Sequence, residues 1–63
     1  MFEDAEKYIG KTIVVIFEDR QQVNRVEGKL GKINTNSLSL DLPDGRIYIL
    51  PLDRVVRIEA RRC

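Results

Sequence analysis

The residues of this chain best suited to chemistry are short and polar: Asn34-Thr35-Asn36 in one segment and Asp53-Arg54 in another. Amides and a guanidinium of this kind donate and accept hydrogen bonds without themselves making or breaking covalent bonds, so the chemistry they offer is binding. Turn formation alone also explains both asparagines, because asparagine tolerates positive φ and bonds its own backbone.

Catalysis has almost no material here. The sequence has no histidine and one cysteine, and Ser37 and Ser39 fall on the outer face of an alternating strand without an evident base. Glu3, Asp4 and Glu6 read as solubilising charges that complement the start of a helix. No spacing of cysteine, histidine or carboxylates suggests a metal, and no cofactor is expected. Gly10-Lys11-Thr12 imitates the end of a phosphate-binding loop, but the first glycine of that motif would fall at Ala5 and the order here is helix then strand. The chain reads as a binding protein, not an enzyme.

Size bounds the rest. A single domain spans the 63 residues, and a chain this short buries only about 60% of the surface its unfolded form exposes, which leaves a free monomer marginal. Disulfides and metals, the usual supplements, have no residues to work with, so oligomerisation is the remaining source of stability. Eleven Lys and Arg nearly cancel ten Asp and Glu, and no global field attracts a polyanion. Any such contact is local or arises by repetition in an oligomer. The acidic opening Met1-Phe2-Glu3-Asp4 lacks the regions of a signal peptide, and the apolar run Ile13 to Phe17 is too short to span a bilayer; a soluble, cytoplasmic protein with an unpaired, bystander Cys63 is expected.

The elements that must position the polar segments are legible in turn chemistry and alternation. Phe2, Ala5 and Ile9 at i, i+3 and i+7 predict a short amphipathic helix over about 2–9, stopped by Gly10. Residues 11–18, KTIVVIFE, form a strand that is apolar on both faces, so Val14 and Ile16 need a cover: the helix, a sheet neighbour or another subunit. The polar stretch Asp19 to Asn24 predicts a hairpin longer than a two-residue turn. In the second strand Val26, Gly28 and Leu30 share a face, but the next inward residue is Ile33; the period slips at Gly31, which marks a bulge or bend. Leu38, Leu40 and Leu42 alternate with Ser37, Ser39 and Asp41. Leu42-Pro43-Asp44-Gly45 predicts a type I turn with a bulge. Ile47 and Ile49 continue a fourth strand, Pro51 to Arg54 breaks it with one irregular or 3₁₀ turn, and a last strand has Val56, Ile58 and Ala60 on its apolar face.

A short helix followed by five strands, with a bend in the second and a one-turn link before the fifth, resembles the Sm-like family. The resemblance covers nearly the whole chain. Gly28-x-Leu30 followed by Ile33-Asn34 sits where the family's first motif has Gly-x-Leu and its aspartate-containing loop. Asp53-x-Val55-Val56-x-Ile58 matches the end of the second motif, and the spacing from Gly28 to Ile58, with the Asp44-Gly45 hairpin, is close to that of bacterial Hfq. Pro51-Leu52 stands where Sm proteins carry Arg-Gly, and the family's base-stacking groups are missing at Asn34 to Ser37. Ile49 to Asp53 and the longer first hairpin resemble instead the C-terminal barrel of the ribosome-maturation factor RimP, which shares the fold; that resemblance implies the alternative of a protein-interaction or structural barrel acting in ribosome or RNP assembly, with a protein as its partner.

The resemblance implies a strongly bent five-stranded antiparallel Sm-like (SH3-type) barrel over about 11–60. It also implies a homo-oligomeric ring in which the fourth strand of one subunit pairs with the fifth of the next, with Ile47, Ile49, Val55 and Arg57 at the interface. Single-stranded RNA is the partner it implies, held on a rim made by Asn34, Thr35, Asn36, Asp53 and Arg54.

Overall fold

The computed structural model describes residues 3–60. Five antiparallel strands form one sheet: β1 (Thr12–Asp19), β2 (Gln22–Ile33), β3 (Ser37–Asp41), β4 (Ile47–Pro51) and β5 (Val55–Ala60), in the order β4-β3-β2-β1-β5. A 3₁₀ helix, η1 (Glu3–Tyr8), precedes them, and a second, η2 (Leu52–Arg54), links β4 to β5. No helix among the described residues is long and apolar enough to cross a membrane.

The first segment is a 3₁₀ helix rather than the α-helix its spacing suggested. At three residues per turn, side chains three apart eclipse, so Ala5 is buried and Tyr8 packs on the core while Ile9 stays 48% exposed. Phe2 lies outside the described residues. Gly10, at φ +88, ends the segment, and its N–H donates to the Leu30 carbonyl (2.8 Å) while the Leu30 N–H donates to Lys11 (3.0 Å). The entry to β1 is thereby tied to the middle of β2.

β2 is shared between two neighbours. Its Gln22–Lys29 stretch pairs with β1 and its Lys29–Ile33 stretch with β3, and the register slips between Leu30 and Lys32, which leaves Gly31 as the extra residue of a bulge. The slip keeps both Leu30 and Ile33 on the inner face, as the sequence indicated. Gly31 does not need a left-handed backbone; the positive-φ glycines are Gly10 and Gly45. Gly28 is required by space instead, since a Cβ there would stand 3.0 Å from the Asp41 backbone oxygen and 3.1 Å from the Leu42 side chain.

Ile13, Val15, Leu30, Leu38 and Leu40 are fully buried and form the core, with Tyr48 and Leu50 of β4 and Val55 and Ile58 of β5 packed against them. Strands from both edges of the sheet thus reach one cluster, so the sheet curls around its own face. The short link demands the same. Edge strands of a flat five-stranded sheet stand about 19 Å apart, whereas the link from Pro51 to Val55 reaches about 14 Å at most. β4 and β5 remain the outermost strands, unpaired with one another in the sheet order.

On the outer face Val14 is only 2% exposed. Its cross-strand neighbours are Glu27 and Glu59, so sheet neighbours flank it, with aliphatic stems that can lie along apolar surface. Two local expectations change. The β1–β2 connection is a two-residue turn, Arg20-Gln21, with Asp19 paired to Gln22 and φ values of 52 and 65; both positive angles are those of a type I′ turn, whose twist suits a hairpin even without glycine. The polar residues from Gln22 onward are therefore strand. In β5 the register shifts opposite Ile16 and Phe17, which pair with Arg57 and Val55 and leave Val56 unmatched. That bulge turns Val55 and Ile58 inward and Val56 outward, at 56% exposure, where strict alternation put Val56 inside.

Candidate functional site

The 34–36 turn is held by its own backbone and one side chain. The Asn34 N–H donates to the Ser37 carbonyl (2.9 Å), and Asn34 Oδ1 accepts from the N–H groups of Asn36 and Ser37, both at 2.8 Å. The Asn34 side-chain oxygen is thus committed to the turn. All three residues, Asn34, Thr35 and Asn36, are exposed, so the amide nitrogen of Asn34 and the side chains of Thr35 and Asn36 face solvent.

η2 comes to this turn through the backbone. The Leu52 N–H donates to the Asn36 carbonyl at 2.8 Å, because Pro51, at φ −67, ends the pairing of β4 with β3 and redirects the chain. The 34–36 turn and Asp53-Arg54 therefore belong to one end of the fold. Their side chains do not all converge there: Arg54 Nη1 donates to Asp19 Oδ1 at 3.4 Å, across to the β1–β2 hairpin. With both side chains more than half exposed, water screens this pair.

Between the hairpin tip and η2 lies an open groove of about 520 Å³, lined by Arg20, Gln21, Asp53, Arg54, Val55 and Val56, with Glu18 completing its wall. Two arginines meet three carboxylates in this neighbourhood, counting Asp19, so it is not a cationic trough. Sequence reasoning missed Asp19, Arg20 and Gln21 because nothing in a polar hairpin announces that it faces a link more than thirty residues away. Val56, turned outward, adds apolar surface beside these charges.

The strand-edge residues divide. Ile47 and Ile49 point outward from β4 at 63% and 71% exposure, while Tyr48 and Leu50 face the core. β4 contains no charged residue, and its proline is the last residue of the strand. On β5 Val55 faces inward, Arg57 is exposed and paired with Glu59 (2.9 Å), and Val56 is the outward apolar residue. At the other hairpin, Leu42 to Arg46, the Gly45 N–H donates to the Leu42 carbonyl (3.0 Å) and Gly45 takes φ +93, a type I turn with a bulge. Asp44 there accepts from the Arg46 N–H and side chain (3.1 and 2.6 Å). The backbone hydrogen bond first, and then the Arg46 guanidinium, hold its carboxyl below the usual carboxylate range.

Among the described residues no three histidine, cysteine or carboxylate side chains gather where they could hold a metal ion, and no polar or charged residue is buried. The chain matches no known protein family, no curated protein and no solved structure.

Proposed function

We propose that this chain is a non-catalytic, Sm-like subunit that assembles edge to edge into a homo-oligomeric ring and holds single-stranded RNA on the rim made by the 34–36 turn and η2. The observation that supports this reading is the placing of β4 and β5 at the two free edges of one curled sheet, bridged by three residues. Each edge leaves a row of backbone donors and acceptors without a partner in the sheet, and β4 adds two exposed isoleucines. An uncovered apolar edge strand is a template for a further strand. Pairing β4 of one copy with β5 of the next is a heterologous contact, which closes into a ring when the rotation between copies permits.

The finer fold, a bent five-stranded barrel of the Sm-like (SH3-type) kind, belongs to the same proposal. It is supported by the core shared between both edge strands and by the bulge at Gly31. RNA recognition is supported by the exposed amides of the turn and by Arg54. Among the described residues no aromatic side chain stands on this rim, so each subunit contributes little stacking, and avidity around the ring supplies the affinity.

Titration of labelled U-rich and A-rich single strands at low salt tests the RNA reading. The expected result is binding, most of which Arg54→Ala abolishes while assembly persists. Absence of binding to either strand overturns it and leaves a protein-interaction barrel, similar to the RimP C-terminal domain, in its place.

A further inference from the structure

We infer that the groove between the β1–β2 hairpin and η2 takes a guanine base, read by Asp19 and Arg54 together; this rests on the RNA-binding reading and names which base the site selects. Arg54 Nη1 and Asp19 Oδ1 are 3.4 Å apart in a single, open hydrogen bond. Neither group is used up by that contact. A guanidinium has five donors and a carboxylate about four acceptor positions, so a base edge that both donates and accepts replaces one weak bond with several.

The charges around the pair decide what enters. Glu18, Asp53 and Asp19 outnumber Arg20 and Arg54, so a phosphate meets repulsion in the groove, whereas a neutral base does not. Val56 at the lining, turned outward and exposed, offers apolar contact to a base face. The Watson–Crick edge of guanine then fits the pair: O6 accepts from Arg54, and N1–H and the N2 amino group donate to the Asp19 carboxylate. Adenine and cytosine each place an acceptor where Asp19 needs a donor. Uracil offers one donor flanked by two carbonyl oxygens, the second of which faces the carboxylate.

The test uses the full chain and two fluorescently labelled hexanucleotides, UUUUUU and UUGUUU, at low salt. Wild-type protein should bind the guanine-containing strand about fivefold more tightly or better, the low end for one bidentate base contact. Asp19→Ala should bind both strands equally, and Asp19→Asn, which retains the side chain's size and turns a donor toward the base, should lose the same preference. Equal affinity of the wild type for the two strands, or a preference that survives in Asp19→Ala, overturns the guanine site while RNA binding stands. Failure of the wild type to bind either strand overturns the RNA reading and this inference with it.

Discussion

The Leu52 N–H donates to the Asn36 carbonyl oxygen at 2.8 Å, and this one bond joins the connection between the two edge strands to the turn at the far end of β2. Pro51 makes it possible by ending the β3–β4 ladder opposite Ser37. Two residues later Arg54 has crossed to Asp19 on the β1–β2 hairpin. Three residues of 3₁₀ helix therefore carry the chain from one edge of the sheet to the other, and every polar residue of the candidate rim hangs on that crossing.

Asn34 anchors the near end of the crossing. Asn34→Ala removes the acceptor for two backbone N–H groups and should lower stability by about 1 kcal/mol in urea unfolding, the usual worth of such bonds at an exposed site. Asn34→Asp preserves the acceptor for both N–H groups and should be close to wild type. Equal loss in the two variants would show that the side-chain oxygen does not hold the turn.

The hairpin tip is a place where sequence and backbone disagree. Arg20 and Gln21 occupy left-handed backbone that asparagine and glycine adopt at lower cost. The double variant Arg20→Asn/Gln21→Gly should gain about 1 kcal/mol, seen as a thermal midpoint raised by about 4–8 °C for a domain of this size. A lowered midpoint contradicts the assigned turn.

Glycines 28 and 31 should respond differently. A methyl at position 28 meets backbone and a packed leucine, whereas at position 31 the nearest atom is the Ser39 hydroxyl at 3.0 Å. Gly28→Ala should cost about 1–3 kcal/mol, typical of overpacking. Gly31→Ala should cost less, limited by the hydrogen bond from the Lys32 N–H to that hydroxyl (3.0 Å). Denaturant unfolding of both variants gives the comparison, and a larger loss at 31 would place the tight approach at the bulge instead.

Acid sensitivity has a defined sign at Asp44. Its carboxyl is held below the usual aspartate range in the folded chain, so its contribution is present above the unfolded value and fades as pH falls through the folded one. Asp44→Asn should flatten the stability curve below about pH 4 and leave its shape at neutral pH unchanged. Chemical denaturation at stepped pH measures this, and an unchanged acid limb in the variant would remove Asp44 from that response.

Much of the fold was legible because particular residues force particular backbone. Pro43, Asp44 and Gly45 specify their turn, Gly31 marks the slip in β2, and the leucines of β3 alternate without interruption. The misreadings have equally local causes. The period of η1 is three rather than 3.6, so Tyr8 packs on the core and Ile9 does not. The bulge at Val56 arises from pairing with β1, and no feature of β5 alone announces it. Arg20-Gln21 lacks the residues that usually signal a tight hairpin. At the candidate site, the asparagine turn and the Asp53-Arg54 link were legible from turn chemistry and resemblance. The meeting of Arg54 with Asp19 was not, since it joins residues 35 apart through a curl that only tertiary packing creates.

Assembly through the free edges is the central claim, and the mass of the chain in solution tests it most directly. Light scattering on the purified protein at micromolar concentration should give a single species at an integer multiple of the chain mass, and Ile49→Lys, which places a charge on the outer face of β4, should lower that mass while the chain remains folded by circular dichroism. A monodisperse wild-type monomer with a well-dispersed folded spectrum would contradict the claim.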